Sequence, residues 1–187
     1  MATGISDKVD SDAAIWKVSF SRLPWLIIAM LGGTIGAKVI SNFEDSITAI
    51  PAMAFFIPLI TAMGGNVGVQ SSAIIVQGLA NNTIIGPVIE RLLKELSLSL
   101  LNGVILSVIL FVGSYLLLGV SPAIGITVTI SLLSVIIMAS LVGTFIPFVL
   151  NKYGIDPALA TGPFITTSND IMGILIYFSL AKLILGF

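Results

Sequence analysis

The sequence predicts an all-α integral membrane protein with five transmembrane helices per chain. Three observations predict it. Of its 187 residues, 57% are hydrophobic and only 9% are charged, where soluble domains carry roughly 25% charged residues. The mean hydropathy is +1.14. The apolar residues also gather into five long runs, each able to cross a hydrocarbon core of about 30 Å, which takes roughly 20 residues. None of these runs shows the polar–apolar alternation of a membrane barrel strand.

The same composition excludes whole classes of function. The formal net charge is −1, so no basic surface is offered to nucleic acid. Cysteine and histidine are both absent, which removes disulfides, thiolate and imidazole chemistry and the usual soft metal sites. No nucleophile–base pair or cofactor motif can be assembled from what remains, so the chain reads as a non-enzyme without a cofactor.

Residues 1–22 form the one stretch of ordinary polarity, holding Asp7, Lys8, Asp10, Asp12, Lys17 and Arg22. It has no apolar core or small-residue cleavage site of a signal peptide. Ile15, Trp16, Val18 and Phe20, interleaved with Lys17 and Arg22, suit a short interfacial entry into the bilayer. Residues 23–187 form the membrane domain, with spans over Leu23–Ile40, Ile50–Leu79, Leu96–Gly119, Pro122–Leu150 and Ala158–Leu185. Ser41–Asp45, Asn81–Glu95, Ser121-Pro122 and Asn151–Pro157 punctuate them with turn-forming residues. With the N-terminus cytoplasmic, Lys8, Lys17, Arg22, Arg91, Lys94 and Lys152 lie inside, and only Lys38 and Lys182 lie outside. The positive-inside rule selects that orientation in a cell (inner) membrane and leaves the C-terminus external.

Function must then reside in the few polar residues at membrane depth, because an ionisable group there is costly. Asp170 is the clearest, about 20 Å along a helix from Asp156 and so near the midplane. Steps of three and four residues place Gly162, Thr166, Asp170, Gly173 and Tyr177 on one small, oxygen-bearing face. The second span carries Asn66 and Gln70 one turn apart beside Gly64, Gly65 and Gly68. Pro163 is placed to free the carbonyl one turn before it, near Leu159. Carboxylate, amide, hydroxyl and carbonyl oxygens suit Mg²⁺, Ca²⁺ or Mn²⁺ far better than copper or structural zinc. The plainer readings are interhelical hydrogen bonding for Asn66 and Gln70, and a protonated core acid for Asp170. Gly32, Gly33 and Gly36 fit helix packing, and Asp156-Pro157 fits an N-cap with proline in the first turn.

The run from Pro58 to Ser71, ending Gly64-Gly65-Asn66-Val67-Gly68-Val69-Gln70-Ser71, resembles the second-helix signature of the MgtE-type magnesium channels. The block Asp156-Pro157-Ala158-Leu159, Gly162-Pro163, Thr166-Thr167, Asp170 and Gly173–Phe178 resembles that family's fifth helix. The five-span layout is similar from about Arg22 to Phe187. This resemblance implies a homodimer with its pore on the two-fold axis, lined by the second and fifth helices. It implies that Asp170 and its symmetry mate hold a hydrated Mg²⁺ through water. Thr166 matches the position one turn earlier, where the family uses a backbone carbonyl. Asn66 and Gln70 match polar residues of the second-helix motif, and Asp156 matches an acidic residue at the cytoplasmic mouth. Val69 stands where many members of the family have asparagine and Gly162 where some have it, so the resemblance assigns no pore-lining or gating contact at those two positions. The cytosolic sensor domains usual in bacterial members have no counterpart in this sequence. The expectation is either an isolated transmembrane portion or a short homologue gated by its own inner mouth or a separate regulatory subunit.

The expected function is a passive channel for hydrated Mg²⁺, with Mn²⁺, Co²⁺ and Ca²⁺ as further candidate ions. Symmetry doubles one carboxylate into two, and outer-shell binding avoids the dehydration that Mg²⁺ resists. The alternative is a secondary transporter exchanging Mg²⁺ for Na⁺ or H⁺ at Asp170. A third reading is a membrane scaffold subunit without flux.

Overall fold

The computed structural model describes residues 14–84 and 86–186, so Asp7, Lys8, Asp10 and Asp12 of the polar N-terminal segment lie outside the described residues. The chain forms α1 (Ile15–Ser41), α2 (Glu44–Ala49), a 3-10 turn (Pro51–Phe56), α3 (Ile57–Ala80), α4 (Val88–Leu118), α5 (Pro122–Lys152), a second 3-10 turn (Pro157–Thr161) and α6 (Pro163–Leu185). Among the described residues five helices are long and apolar enough to cross a membrane, with the first 3-10 turn and α3 counting as one span. No strand occurs among the described residues.

α5 is the centre of the bundle. It has the highest mean hydropathy of the five spans, 2.4, and it packs against α3, α4 and α6. Its buried positions Gly125, Val128, Leu132, Val135, Ala139 and Gly143 recur at steps of three and four, the spacing of one helical face. A second buried set, Ser131, Ile136, Ser140 and Thr144, covers an adjoining face. Small residues there let the backbones approach, which is how helices associate in lipid. A Cβ on Gly143 would strike the backbone of Gly68 in α3. On the α4 side, Ser107 Oγ donates to the Thr129 carbonyl at 3.1 Å, and a Cβ on Gly103 would meet Leu133 Cδ1 at 2.6 Å.

α6 runs antiparallel to α3 and packs between it and α1. Gly32 of α1 leaves the space that Thr167 fills, and Gly36 faces Ile174, so these glycines do serve packing. Far from that contact, Tyr177 Oη donates to the Met53 carbonyl at 2.9 Å in a fully buried setting. Phe43 stacks on Phe178 with centroids 4.6 Å apart. These contacts anchor α6 to α2 and the 3-10 turn that caps this end of the bundle. Glu44 and Asp45, expected in a loop, instead open α2, where two carboxylates complement the positive end of the helix.

Helix ends follow local chemistry elsewhere. Gly119 (φ 59°) and Gly186 (φ 74°) end α4 and α6 in the left-handed conformation that glycine adopts without strain. α1 begins at Ile15 rather than Leu23, so Trp16, Lys17 and Arg22 ride on its first turns. α4 likewise starts at Val88 and carries Glu90 to Glu95 as helix.

The largest departure concerns the last span. The expected helix from Ala158 is broken: residues 157–161 form a 3-10 turn, Gly162 is extended (φ −124°, ψ −152°), and α6 starts at Pro163. Pro163 therefore occupies the first helical turn, where its missing N–H costs nothing, and it does not kink a continuous helix to free the Leu159 carbonyl.

Replacing Tyr177 by Phe removes the tie between α6 and the 3-10 turn. Thermal unfolding in detergent should show Y177F destabilised by roughly 0.5–1.5 kcal/mol. An unchanged midpoint would show that the bond does not hold α6 in place.

Candidate functional site: a membrane-depth carboxylate cleft

The break at Gly162 sets where the acid sits. Asp170 lies seven residues after Pro163, about 10 Å along α6 from its first residue. It opens into a cleft of about 790 Å³ between α1, the start of α3 and α6. On α6 the cleft is lined from Pro163 to Ile174, roughly 17 Å of helix at 1.5 Å per residue. Its walls are small: Gly33, Gly36 and Ala37 from α1, then Pro58 and Thr61 from α3.

Thr166 and Asp170 share this cleft one turn apart, as their spacing requires. Thr167 and Thr61 add hydroxyls, and Thr61 Oγ1 donates back to the Ile57 carbonyl at 3.0 Å. Among the described residues no lysine or arginine lines the cleft. No group of three or more acidic, histidine or cysteine residues that could ligate a metal occurs among them either. The protomer thus presents one carboxylate, with oxygen-bearing neighbours and no countercharge.

α3 passes close behind that carboxylate because Gly65 has no side chain. A Cβ there would lie 3.3 Å from Asp170 Oδ1 and 3.0 Å from Thr166 Cγ2. Gly68 gives way to the side chain of Asn169 in the same manner. Asn169 is fully buried, and neither its Oδ1 nor its Nδ2 has a hydrogen-bond partner. Sequence reasoning missed this residue, although an amide directly beside the membrane acid was there to be read. It wedges α6 against the glycines of α3 and thereby fixes the azimuth of Asp170.

The other expected site residues lie elsewhere. Asn66 and Gln70 do not line the Asp170 cleft; they line a second cleft of about 430 Å³ between α3 and α4, floored by α5. The face of α3 that meets α6 is the glycine face, and Asn66 is offset from Gly65 by about 100° of helix. Asp156 is exposed at the α5–α6 connection, where Oδ1 accepts from the Ala158 N–H at 2.9 Å. Its capping role holds, although it caps the 3-10 turn and not α6.

A family profile described as a divalent cation transporter, MgtE, matches residues 57–180. The chain belongs to the MgtE family. It is 39% identical over 171 residues to a magnesium transporter MgtE of Bacillus subtilis (strain 168), covering 91% of this chain and 38% of that protein. It is 36% identical over 190 residues to a magnesium transporter MgtE of Thermus thermophilus, covering 98% of this chain and 41% of that protein. A third, from Enterococcus faecalis, is 36% identical over 174 residues, covering 91% of this chain and 38% of that protein. The chain therefore spans about two fifths of the length of these MgtE relatives. The profile takes in both glycine-rich α3 and the Asp170 segment of α6.

Gly65→Ala tests the close approach behind the carboxylate. The added methyl would press on the Thr166 and Asp170 side chains, so the variant should fall short of the gain of about 1 kcal/mol that alanine otherwise brings to a helix interior, as read by thermal unfolding in detergent. The full gain would show that this contact is slack.

Proposed function

We propose that this chain is the pore-forming domain of a magnesium channel, and that two copies conduct hydrated Mg²⁺ along their two-fold axis. The observation that carries this reading is the unpaired Asp170 carboxylate in a cleft running along α6, in a chain of the MgtE family. An uncompensated acid at membrane depth is expensive unless water or a cation meets it. A cleft open along its length is half of a conduit, and a C2 partner completes it while bringing a second Asp170. In this arrangement Thr166 and Asp170 face the ion path, and Asp156 lies at the cytoplasmic mouth.

The chemistry follows from the ion. Mg²⁺ gives up water reluctantly and prefers octahedral geometry. Two carboxylates acting through its hydration shell balance the charge and still release the ion, as conduction requires. An inward-negative potential contributes about 2.3 kcal/mol per charge per 100 mV, so inward flow needs no coupled ion. The N-terminus is cytoplasmic on the count of basic residues.

Asp170→Asn should cut Mg²⁺ flux into proteoliposomes by at least about tenfold, the loss of one ionic contact of 1.4 kcal/mol or more, with the dimer intact by size exclusion. Undiminished flux would overturn the assignment. Because the native chain has no cysteine, Thr166→Cys reports on the axis directly. Oxidation should link two protomers and block current, and failure of any α6 cysteine facing the cleft to cross-link would reject the shared pore.

A further inference from the structure

The second cleft, between α3 and α4, belongs to neither the packing nor the Asp170 path. Its walls carry Asn66 and Gln70 from α3, Glu95, Ser99 and Asn102 from α4, and Ser140 from α5 below. Asn66 and Gln70 are one turn apart, and Glu95, Ser99 and Asn102 follow at steps of four and three, so two polar stripes face each other across the gap. α3 and α4 each pack on α5. One direct bridge crosses between their stripes: Ser71 Oγ donates to Glu95 Oε1 at 2.6 Å.

Three features of this cleft point to a cation. Among the described residues no lysine or arginine lines it, and Glu95 is its one charged lining residue. Among the described residues Ser71 is the one protein partner of the carboxylate, and it engages a single oxygen. Ser99 and Ser140 donate to the Leu96 and Ile137 carbonyls at 3.0 Å in each case, which turns their oxygens into acceptors. Asn66, Gln70 and Asn102 remain exposed in the protomer, and three amides at membrane depth do not face hydrocarbon without cost.

Size decides the form of the ion. The cleft holds about 430 Å³, far more than a bare ion fills. Six waters at about 30 Å³ each occupy about 180 Å³, so an octahedral aquo-ion fits with room for amide contacts. Magnesium keeps several waters and is held by one or two carboxylates, which is the donor set present here.

We infer that Glu95, with Asn66, Gln70 and Asn102, forms a second site for a hydrated divalent cation, separate from Asp170. Asn66 and Gln70 act at this site and not in the Asp170 cleft. The Ser71–Glu95 bond closes the gap between α3 and α4 when the ion is absent, and the ion's water competes for the same carboxylate. Binding here therefore bears on how α3 is held, and α3 is the helix that backs Asp170 through Gly65.

The inference does not rest on Asp170, and one experiment separates the two. Mn²⁺ is titrated into the purified full chain in detergent, with free Mn²⁺ read by electron paramagnetic resonance and Mg²⁺ as competitor. Glu95→Gln, which keeps an acceptor for Ser71, should weaken one Mn²⁺ per chain by at least about tenfold, since affinity follows ligand charge. Asn102→Asp should strengthen the same ion severalfold, and Asp170→Asn should leave it bound. Parental Mn²⁺ binding in Glu95→Gln would overturn the site, as would loss of all bound Mn²⁺ in Asp170→Asn. If Glu95→Gln fails to fold, Asn102→Asp decides: unchanged affinity there rejects the proposal. Loss of the dimer in Glu95→Gln at unchanged Mn²⁺ stoichiometry would likewise reject it, assigning the cleft to subunit contact.

Discussion

At Gly68 the backbone of α3 runs against Gly143 of α5 on one side and against the side chain of Asn169 of α6 on the other. A side chain at Gly143 would push the α3 backbone away, and one at Gly68 would displace the Asn169 side chain. This three-way approach sets the spacing of the bundle, because lipid tails provide no hydrophobic drive for helices to associate and packing must do the work. Gly64 and Gly65 continue the contact one turn away, beside the Asn169 carbonyl and the Asp170 carboxylate. The acid is thus placed by glycines on another helix.

Polar groups in this protein divide by the way their cost is met. Many hydroxyls bond back to carbonyls three or four residues earlier, as Thr127 does to Ala123 at 2.8 Å and Thr129 to Gly125 at 2.7 Å. Tyr177 reaches the Met53 carbonyl across the bundle. Ser131, Thr144 and Asn169 are buried without a hydrogen-bond partner, and all three lie on the faces of α5 and α6 that close the core. Asp170 and Glu95 are different again, each opening into a cleft that no basic residue lines among the described residues. Bonded hydroxyls belong to the scaffold, while the two carboxylates open into its clefts.

The two clefts lie on different sides of α3. One is walled by α1 and α6, the other by α4, with α5 below. α3 therefore separates the two acids, touching α6 with glycines and facing α4 with amides. A shift of α3 alters both clefts together, since each has α3 as a wall.

Hydropathy alone determined that there are five spans, since each apolar run is about long enough to cross the bilayer, while the starts of α1 and α4 lie eight residues before the apolar runs begin. That Asp170 and Thr166 share a face was legible too, because one turn of helix is a local distance. The break at Gly162 was not, since continuous hydropathy hides an extended residue between two helical segments. Nor could the sequence assign Asn66 and Gln70 to a side. Their spacing shows that they share a face, while which neighbour that face meets depends on α5 lying between α3 and α4. Asn169 shows the same limit, for its role exists only against glycines 101 and 105 residues earlier in the chain, Gly68 and Gly64. Local periodicity fixes what a helix presents, and only the packing of one helix on another decides to what it is presented.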